Sequence, residues 1–199
     1  MRIKCNTTTI CVSMWLVVKI NNMPDQRLGL LPLAIYAAHF RHNMASGRGV
    51  DSLWICHIAV FLSGVGLIFR KRSLLRTACI WLVIGLPCWI FDMIITGQQS
   101  ITSFLSHIGG LAISIFSVWR IGLDHHDWAR ATTLFLVLQQ ACRNLIPPDL
   151  NVNIAFAIRP EAKGVFTDYR SYWLATTLCM IATTYGINRS LMNRLKQVC

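Results

Sequence analysis

A thiol and two imidazoles interrupt apolar parts of this chain, where polar side chains are rare. Cys56 and His57 are adjacent within the apolar run 53–69, and His107 interrupts a second apolar run 51 positions after Cys56. A cysteine becomes a nucleophile only when a base removes its proton, so this thiol requires an imidazole partner. His57 projects about 100° away from Cys56 on a helix. Cys56 and His107 are therefore the candidate nucleophile and base, and His57 is a further candidate.

The composition of the chain is that of a membrane protein. Hydrophobic residues make up 54% of the sequence and charged residues 14%, against about a quarter charged in soluble domains. The formal net charge of +11 comes from Lys and Arg clusters between apolar runs, as expected for cytoplasmic loops. This distribution predicts a membrane protein and no nucleic-acid partner.

The apolar runs predict an all-α, polytopic membrane helix bundle with five or six transmembrane helices. The first run, 29–40, has 12 residues. At 1.5 Å per residue it is shorter than a bilayer core of about 30 Å, which predicts a short, tilted or re-entrant piece. The five longer predicted spans are 52–69, 77–96, 101–119, 128–146 and 171–187. Residues 1–28 are predicted to be an N-terminal segment outside the bundle, and residues 29–199 a single transmembrane domain.

The basic linkers set the predicted orientation. Residues 70–76 carry four basic side chains, and the C-terminal tail after residue 187 carries three more. By the positive-inside rule these segments face the cytoplasm, which places the loops 97–100 and 147–170 outside. The predicted location is a cell membrane, the inner membrane of a bacterium.

Five polar side chains, three of them not yet named, share one predicted depth near the outer ends of the spans. His57, Asp92 and His107 lie one to two turns below those ends, and Arg143 and Asn144 lie within one turn. A charged group at the centre of a membrane helix costs about 2.5–3.5 kcal/mol, so such groups usually face a bundle interior or a wet cavity. We therefore predict one outward-opening site. In it, Asp92 orients an imidazole and Arg143 or Asn144 stabilises an oxyanion.

Each candidate also has a structural interpretation. An intramembrane imidazole often makes an interhelical hydrogen bond, and buried cysteine often packs as a small hydrophobe. Asp92 can be an interfacial residue, and Arg143 can extend to the headgroups. The agreement in depth is what favours a shared site.

The remaining cysteines and histidines predict no cofactor and no metal. Eight cysteines stand at positions 5, 11, 56, 79, 88, 142, 179 and 199. No CxxC pair is present, which argues against a zinc site or a disulfide framework. The tract Asp124-His125-His126-Asp127 resembles a metal-binding sequence in composition only, and it predicts a solvated turn that caps the following helix.

The Cys56-His57 step, the lone His107 about fifty residues later and the small helical bundle resemble a known family. They are similar to the transmembrane acyltransferases that remodel ether phospholipids, and to the YwaF-like bacterial relatives of those enzymes. The resemblance covers roughly residues 50–120. It implies that Cys56 is the acyl-accepting nucleophile, that His107 is its base, and that a membrane lipid is the substrate, with transfer of the acyl group to a lipid alcohol or to water.

Three other functions stay open at this point. His57 and His107 on separate helices could be the axial ligands of a b-type haem in a redox protein. A small transporter or proton relay could use the intramembrane His and Asp side chains. A non-enzymatic membrane scaffold would use the same polar groups as structural contacts only.

Overall fold

The described residues of the computed structural model, 23–97 and 100–197, form helices and connecting turns, and they contain no strand. The prediction of an all-α bundle is confirmed. The six long helices are α1 (Leu30–Ala45), α2 (Ile55–Ile68), α3 (Arg72–Thr96), α4 (Ile101–Ile121), α5 (Asp127–Leu145) and α6 (Tyr169–Gln197). Expectations for residues 1–22 lie outside the described residues.

Glycine ends two of these helices. Gly97 after α3 has φ +64° and Gly122 after α4 has φ +68°, a left-handed backbone that residues with a Cβ adopt at a cost of about 1–2 kcal/mol. The chain therefore reverses at these two glycines. Within α4, residues Leu105–Gly109 form a single π-helical turn, a local widening that is frequent at functional sites.

Two other glycines allow helices α3 and α4 to approach α2 closely. A Cβ at Gly85 would lie 2.8 Å from Cβ of Cys56, and a Cβ at Gly110 would lie 2.7 Å from Cγ2 of Val60. Real Cβ atoms do not approach so closely, so only glycine fits at both positions. Helix α2 is thereby held tightly between the helices that carry Trp89 and His107.

A charge cluster around the buried Asp127 joins α3 and α5 near the first turn of each helix. Asp127 is fully buried and pairs with Arg130 at 2.8 Å and with Arg76 at 3.6 Å. Its Oδ2 also accepts a hydrogen bond from the backbone N–H of Asp124. The backbone N–H of His126 lowers the pKa of the exposed Asp124 carboxyl. This tract therefore forms a hydrogen-bonded turn at the start of α5.

Two described helices, α3 and α4, are long and apolar enough to cross a membrane, and α2 is a shorter apolar helix. The six helices alternate in direction, which follows from the short turns between most of them. Residues 23–28 of the predicted N-terminal segment pack on this bundle. Nε2 of Gln26 donates a 2.8 Å hydrogen bond to the carbonyl of Ile68, and Met23 and Leu28 contact the apolar core.

Candidate functional site

Three buried histidines from three helices meet at the end of the bundle where α2 and α4 begin. The ring centroids of His39 and His57 are 4.0 Å apart, and those of His57 and His107 are 5.2 Å apart. Their exposed fractions are 4%, 7% and 2%. We call these three residues the histidine cluster and this end of the bundle the histidine end. The sulfur of Cys56 and one ring nitrogen each of His57 and His107 lie within 4.8 Å of one another.

The contacts of His107 determine which of its ring nitrogens carries the proton. Nδ1 lies 2.9 Å from the carbonyl oxygen of Ser103, one turn earlier. A carbonyl oxygen only accepts, so Nδ1 carries the hydrogen and Nε2 of the neutral ring carries a lone pair. Nε2 is buried and has no hydrogen-bond partner among the described residues. His107 therefore has the tautomer that the predicted base requires.

Trp89 of α3 fixes the plane of the same ring. Its indole stacks on His107 with centroids 4.6 Å apart and 10° between the planes. Indole Nε1 donates a 2.9 Å hydrogen bond to Oγ of Ser103. Trp89 and Ser103 together hold the imidazole from one face and one edge, which restricts its rotation.

A similar chain of hydrogen bonds sets the tautomer of His57. The amide nitrogen of Asn43, which only donates, lies 3.1 Å from Nε2 of His39, so that nitrogen is an acceptor. Nε2 of His57 lies 3.1 Å from the same atom and also donates to it, so two N–H groups share the single lone pair of that nitrogen. Nδ1 of His57 is then left with a lone pair, and it too is buried and unpartnered among the described residues.

Cys56 is half-buried at the second position of α2. No side chain of α2 itself caps this helix. Instead, Oδ1 of Asn153 accepts a 2.9 Å hydrogen bond from the backbone N–H of Ile55, and Nδ2 of Asn153 donates to the carbonyl of Leu53. The segment after α5 thus holds the first turn of α2, where the helix dipole favours negative charge on a nearby atom.

The structure does not bring Asp92, Arg143 or Asn144 into this cluster. The Asp92 side chain is 55% exposed and pairs with Arg159 at 3.8 Å. The Asn144 side chain is exposed and donates back to the carbonyl of Gln140. The carbonyl oxygen of Ser103, rather than Asp92, accepts the hydrogen bond that orients the His107 ring.

Arg143 makes contacts that hold the fold together. Its Nε donates to the carbonyl of Ala155 and its terminal nitrogen to the hydroxyl of Tyr169, both at 2.6 Å. The guanidinium also lies 5.7 Å from the ring centroid of Trp173. These contacts anchor the 147–168 segment to α5 and α6, so the expected stabilisation of an oxyanion has no support from its position.

Sequence reasoning missed His39 and Asn43. His39 also interrupts an apolar run, and Asn43 follows it at a spacing of four, which places both on one helical face. That signal was present in the sequence, but the run 29–40 was too short to be treated as a full span. Ser52, which accepts a 3.0 Å hydrogen bond from Asn43, had no sequence signal.

The cluster can act chemically in two ways. Two imidazole lone pairs and one thiol lie together in a dehydrated site, so an imidazole can take the thiol proton, or the three atoms can share a metal ion. Comparison with known proteins adds no further assignment, because no family model, curated protein or solved structure matches this chain. The resemblance to the ether-phospholipid acyltransferases stays a prediction.

Proposed function

We propose that this chain is an integral membrane protein whose helices α1–α6 make five or six membrane spans. Support comes from its surface as well as from α3 and α4. Large apolar side chains are exposed along the helices, including Ile94 at 76%, Ile101 at 80% and Leu145 at 80%. Surrounding lipid would cover these side chains, whereas large exposed apolar patches are rare on soluble monomers. A bacterial inner membrane is the location that the sequence resemblance implies.

We further propose that the protein transfers or hydrolyses the acyl group of a membrane lipid through a Cys56 thioester. One observation carries this proposal. The thiol and the unpartnered Nε2 of His107 come from positions 51 residues apart, yet the donor atoms of Cys56 and His107 lie within 4.8 Å. Catalytic pairing needs a hydrogen bond of about 2.6–3.2 Å, and such contacts are often longer before substrate binds.

The proposed reaction has two steps. His107 Nε2 takes the thiol proton, and the thiolate of Cys56 attacks the ester carbonyl, so an S–C bond forms. The C–O bond then breaks, and the lysolipid oxygen leaves with the proton from His107. In the second step His107 deprotonates a lipid alcohol or water, which attacks the thioester and releases the thiol.

A lipid substrate is consistent with the surroundings of the histidine end. A groove of about 640 Å³ lies there, within the range of about 300–1,000 Å³ that is typical of ligand sites. Its lining combines apolar and charged side chains, among them Phe40, Met44, Leu53, Arg48 and Asp51. Leu53 is three positions before Cys56, so the groove lies beside the start of α2, although Cys56 and the histidine cluster do not line it.

The haem alternative has less support. Gly110 and Val60 stand three positions after His107 and His57, and a Cβ at Gly110 would lie 2.7 Å from Cγ2 of Val60. Helices α2 and α4 therefore touch within one turn of both candidate ligands. A macrocycle between the two imidazoles would require these helices to separate.

The proton-relay alternative has one observation in its favour, the contact of His39 with His57 at 3.1 Å. A relay through imidazoles needs no thiol. Loss of acyl transfer in Cys56→Ser together with intact proton flux into vesicles would separate the two functions.

The direct test is capture of the acyl-enzyme. The purified full chain in lipid nanodiscs is incubated with a phospholipid that carries an alkyne-tagged acyl chain, and the modified residue is located by mass spectrometry. We expect a hydroxylamine-sensitive adduct on Cys56, absent from Cys56→Ser and from His107→Gln. Cys179→Ser, which replaces an exposed thiol on α6, is the matched control and should label like the wild type. An adduct in Cys56→Ser equal to that in the wild type contradicts the proposal.

A further inference from the structure

We infer that Cys56, His57 and His107, here called the donor triad, form a binding site for one Zn²⁺ ion. The ligands are Sγ of Cys56, Nδ1 of His57 and Nε2 of His107. This inference goes beyond acyl transfer, because metal binding to these atoms is measurable whether or not the protein modifies a lipid.

Two unpartnered lone pairs are the first observation that points to an ion. Nδ1 of His57 and Nε2 of His107 are buried and have no hydrogen-bond partner among the described residues. A buried polar atom without a partner is destabilising, so most such atoms in folded proteins have a partner. Both atoms carry lone pairs, so the partner that satisfies them together is a cation or a donor.

The distances fit a metal ion after a small contraction. The sulfur of Cys56 and one ring nitrogen each of His57 and His107 lie within 4.8 Å of one another. Around tetrahedral zinc, with Zn–N of about 2.0–2.1 Å and Zn–S of about 2.3 Å, the donors are separated by about 3.3–3.6 Å. The separations must therefore shorten by at most about 1.2–1.5 Å when an ion binds.

The donor types select the ion. Imidazole and thiolate favour zinc and other late transition metals, whereas calcium and magnesium require oxygen ligands. Two histidines and one cysteine leave a fourth tetrahedral position for water or another ligand, as in catalytic zinc sites. The donor set is thus suited to Zn²⁺ with one exchangeable position.

The outer contacts already orient both imidazoles for coordination. In zinc sites a ligating histidine donates its second N–H to an acceptor that fixes the tautomer. Nδ1–H of His107 donates to the carbonyl of Ser103, and Nε2–H of His57 donates to His39. Asn43 in turn donates to His39, so the acceptor of His57 is itself held in place.

Binding has a proton balance and a functional consequence. The thiol must lose its proton to become a ligand, so each bound ion releases one proton to solvent. The bound ion occupies the proposed nucleophile and its base together. If acyl transfer occurs as proposed above, Zn²⁺ should inhibit it, a consequence that rests on the proposed function whereas binding itself does not.

Cobalt titration of the full chain tests the site. The purified protein in nanodiscs is stripped with a chelator and titrated with Co²⁺ in the absence of substrate. We expect one ion per chain and a thiolate-to-cobalt charge-transfer band, both removed by one equivalent of Zn²⁺. Cys56→Ser should lose the band, and His57→Gln and His107→Gln should weaken binding by more than the about 100-fold that loss of an outer contact can cause. Cys179→Ser should behave like the wild type.

A second measurement does not depend on any variant. Iodoacetamide is added to the wild type with and without Zn²⁺, and alkylation of each cysteine is read by mass spectrometry. Zn²⁺ should protect Cys56 and leave the exposed thiols of Cys88 and Cys179 unaffected. A wild type without the charge-transfer band, or Cys56 alkylated equally with and without Zn²⁺, would overturn the metal site. Either result leaves the acyl-enzyme test above untouched, so failures of the two proposals are distinguishable.

Discussion

Oδ1 of Asn153 accepts a 2.9 Å hydrogen bond from the backbone N–H of Ile55, 98 positions earlier in the chain. Asn153 is buried, with an exposed fraction of 2%. This contact joins the segment after α5 to the first turn of α2, which carries Cys56 and His57. The position of the thiol therefore depends on a loop that contributes no group to the histidine cluster.

Asn153→Ala should lower both stability and the reactivity of Cys56. The change leaves the Ile55 N–H without its acceptor, at about 1–3 kcal/mol. It also places alanine at a φ of +54°, which costs about 1–2 kcal/mol more. Asn151→Ala is the matched control, because Asn151 also has a left-handed backbone but bonds only within its own loop. Unfolding in mixed micelles should detect both changes, and Cys56 alkylation should fall only in Asn153→Ala. Equal alkylation in the two variants would contradict this positioning role.

Gly85→Ala should disturb the site through a steric contact. The new Cβ would stand 2.8 Å from Cβ of Cys56, and overpacking of this kind costs about 1–3 kcal/mol. Gly186→Ala on α6 meets no atom within 4 Å and should be stabilising by about 0.5–1 kcal/mol. Thermal unfolding of the two variants in the same detergent checks the opposite signs. A Gly85→Ala variant as stable as the wild type would show that α2 and α3 are further apart at this point than the 2.8 Å contact implies.

Two substitutions at Trp89 test separately the hydrogen bond and the ring stacking that orient His107. Trp89→Phe keeps a stacking ring but removes the hydrogen bond to Ser103, which contributes about 0.5–1.5 kcal/mol. Trp89→Ala removes the ring as well. We expect Cys56 acylation to fall modestly in the first variant and much more in the second. Equal rates in Trp89→Ala and the wild type would mean that orientation of His107 does not limit the reaction.

Arg143 and Asp92 should behave as structural residues rather than catalytic ones. Arg143→Lys keeps the charge but loses the two-pronged contact with Ala155 and Tyr169, so stability should fall by about 1.5–3 kcal/mol. Asp92→Asn removes an exposed ion pair worth about 0–1 kcal/mol. Acylation of Cys56, measured under conditions where each variant is folded, should be unchanged in both. A large loss of acylation in Asp92→Asn would restore the triad expected from sequence.

The sequence was informative about position along each helix. Hydropathy and turn residues located all six helices, and the predicted spans begin and end within a few residues of α2–α5. The sequence also predicted that His57 and His107 lie at one level of the bundle, and their ring centroids are 5.2 Å apart. These features depend on local composition, which one sequence contains.

The sequence did not predict how each helix is rotated about its own axis. Asp92 and Arg143 make their contacts outside the cluster, since the direction of a side chain is set by packing between helices. Gly85 and Gly110 illustrate this, because their effect depends on Cys56 and Val60 lying opposite them. The tautomer of His57 likewise depends on His39, which lies on another helix, so the spacing within one helix does not predict it.

The proposed pairing of Cys56 with His107 is tested most directly by the alkylation rate of Cys56. Iodoacetamide modification of Cys56 is followed with mass spectrometry in the chelator-treated wild type and in His107→Gln, with glutathione added to each sample as the reference thiol. General-base assistance contributes about 10²–10⁴-fold, so we predict that the Cys56 rate falls at least about 100-fold in His107→Gln while the glutathione rate is unchanged. An unchanged Cys56 rate in a folded His107→Gln would contradict the pairing.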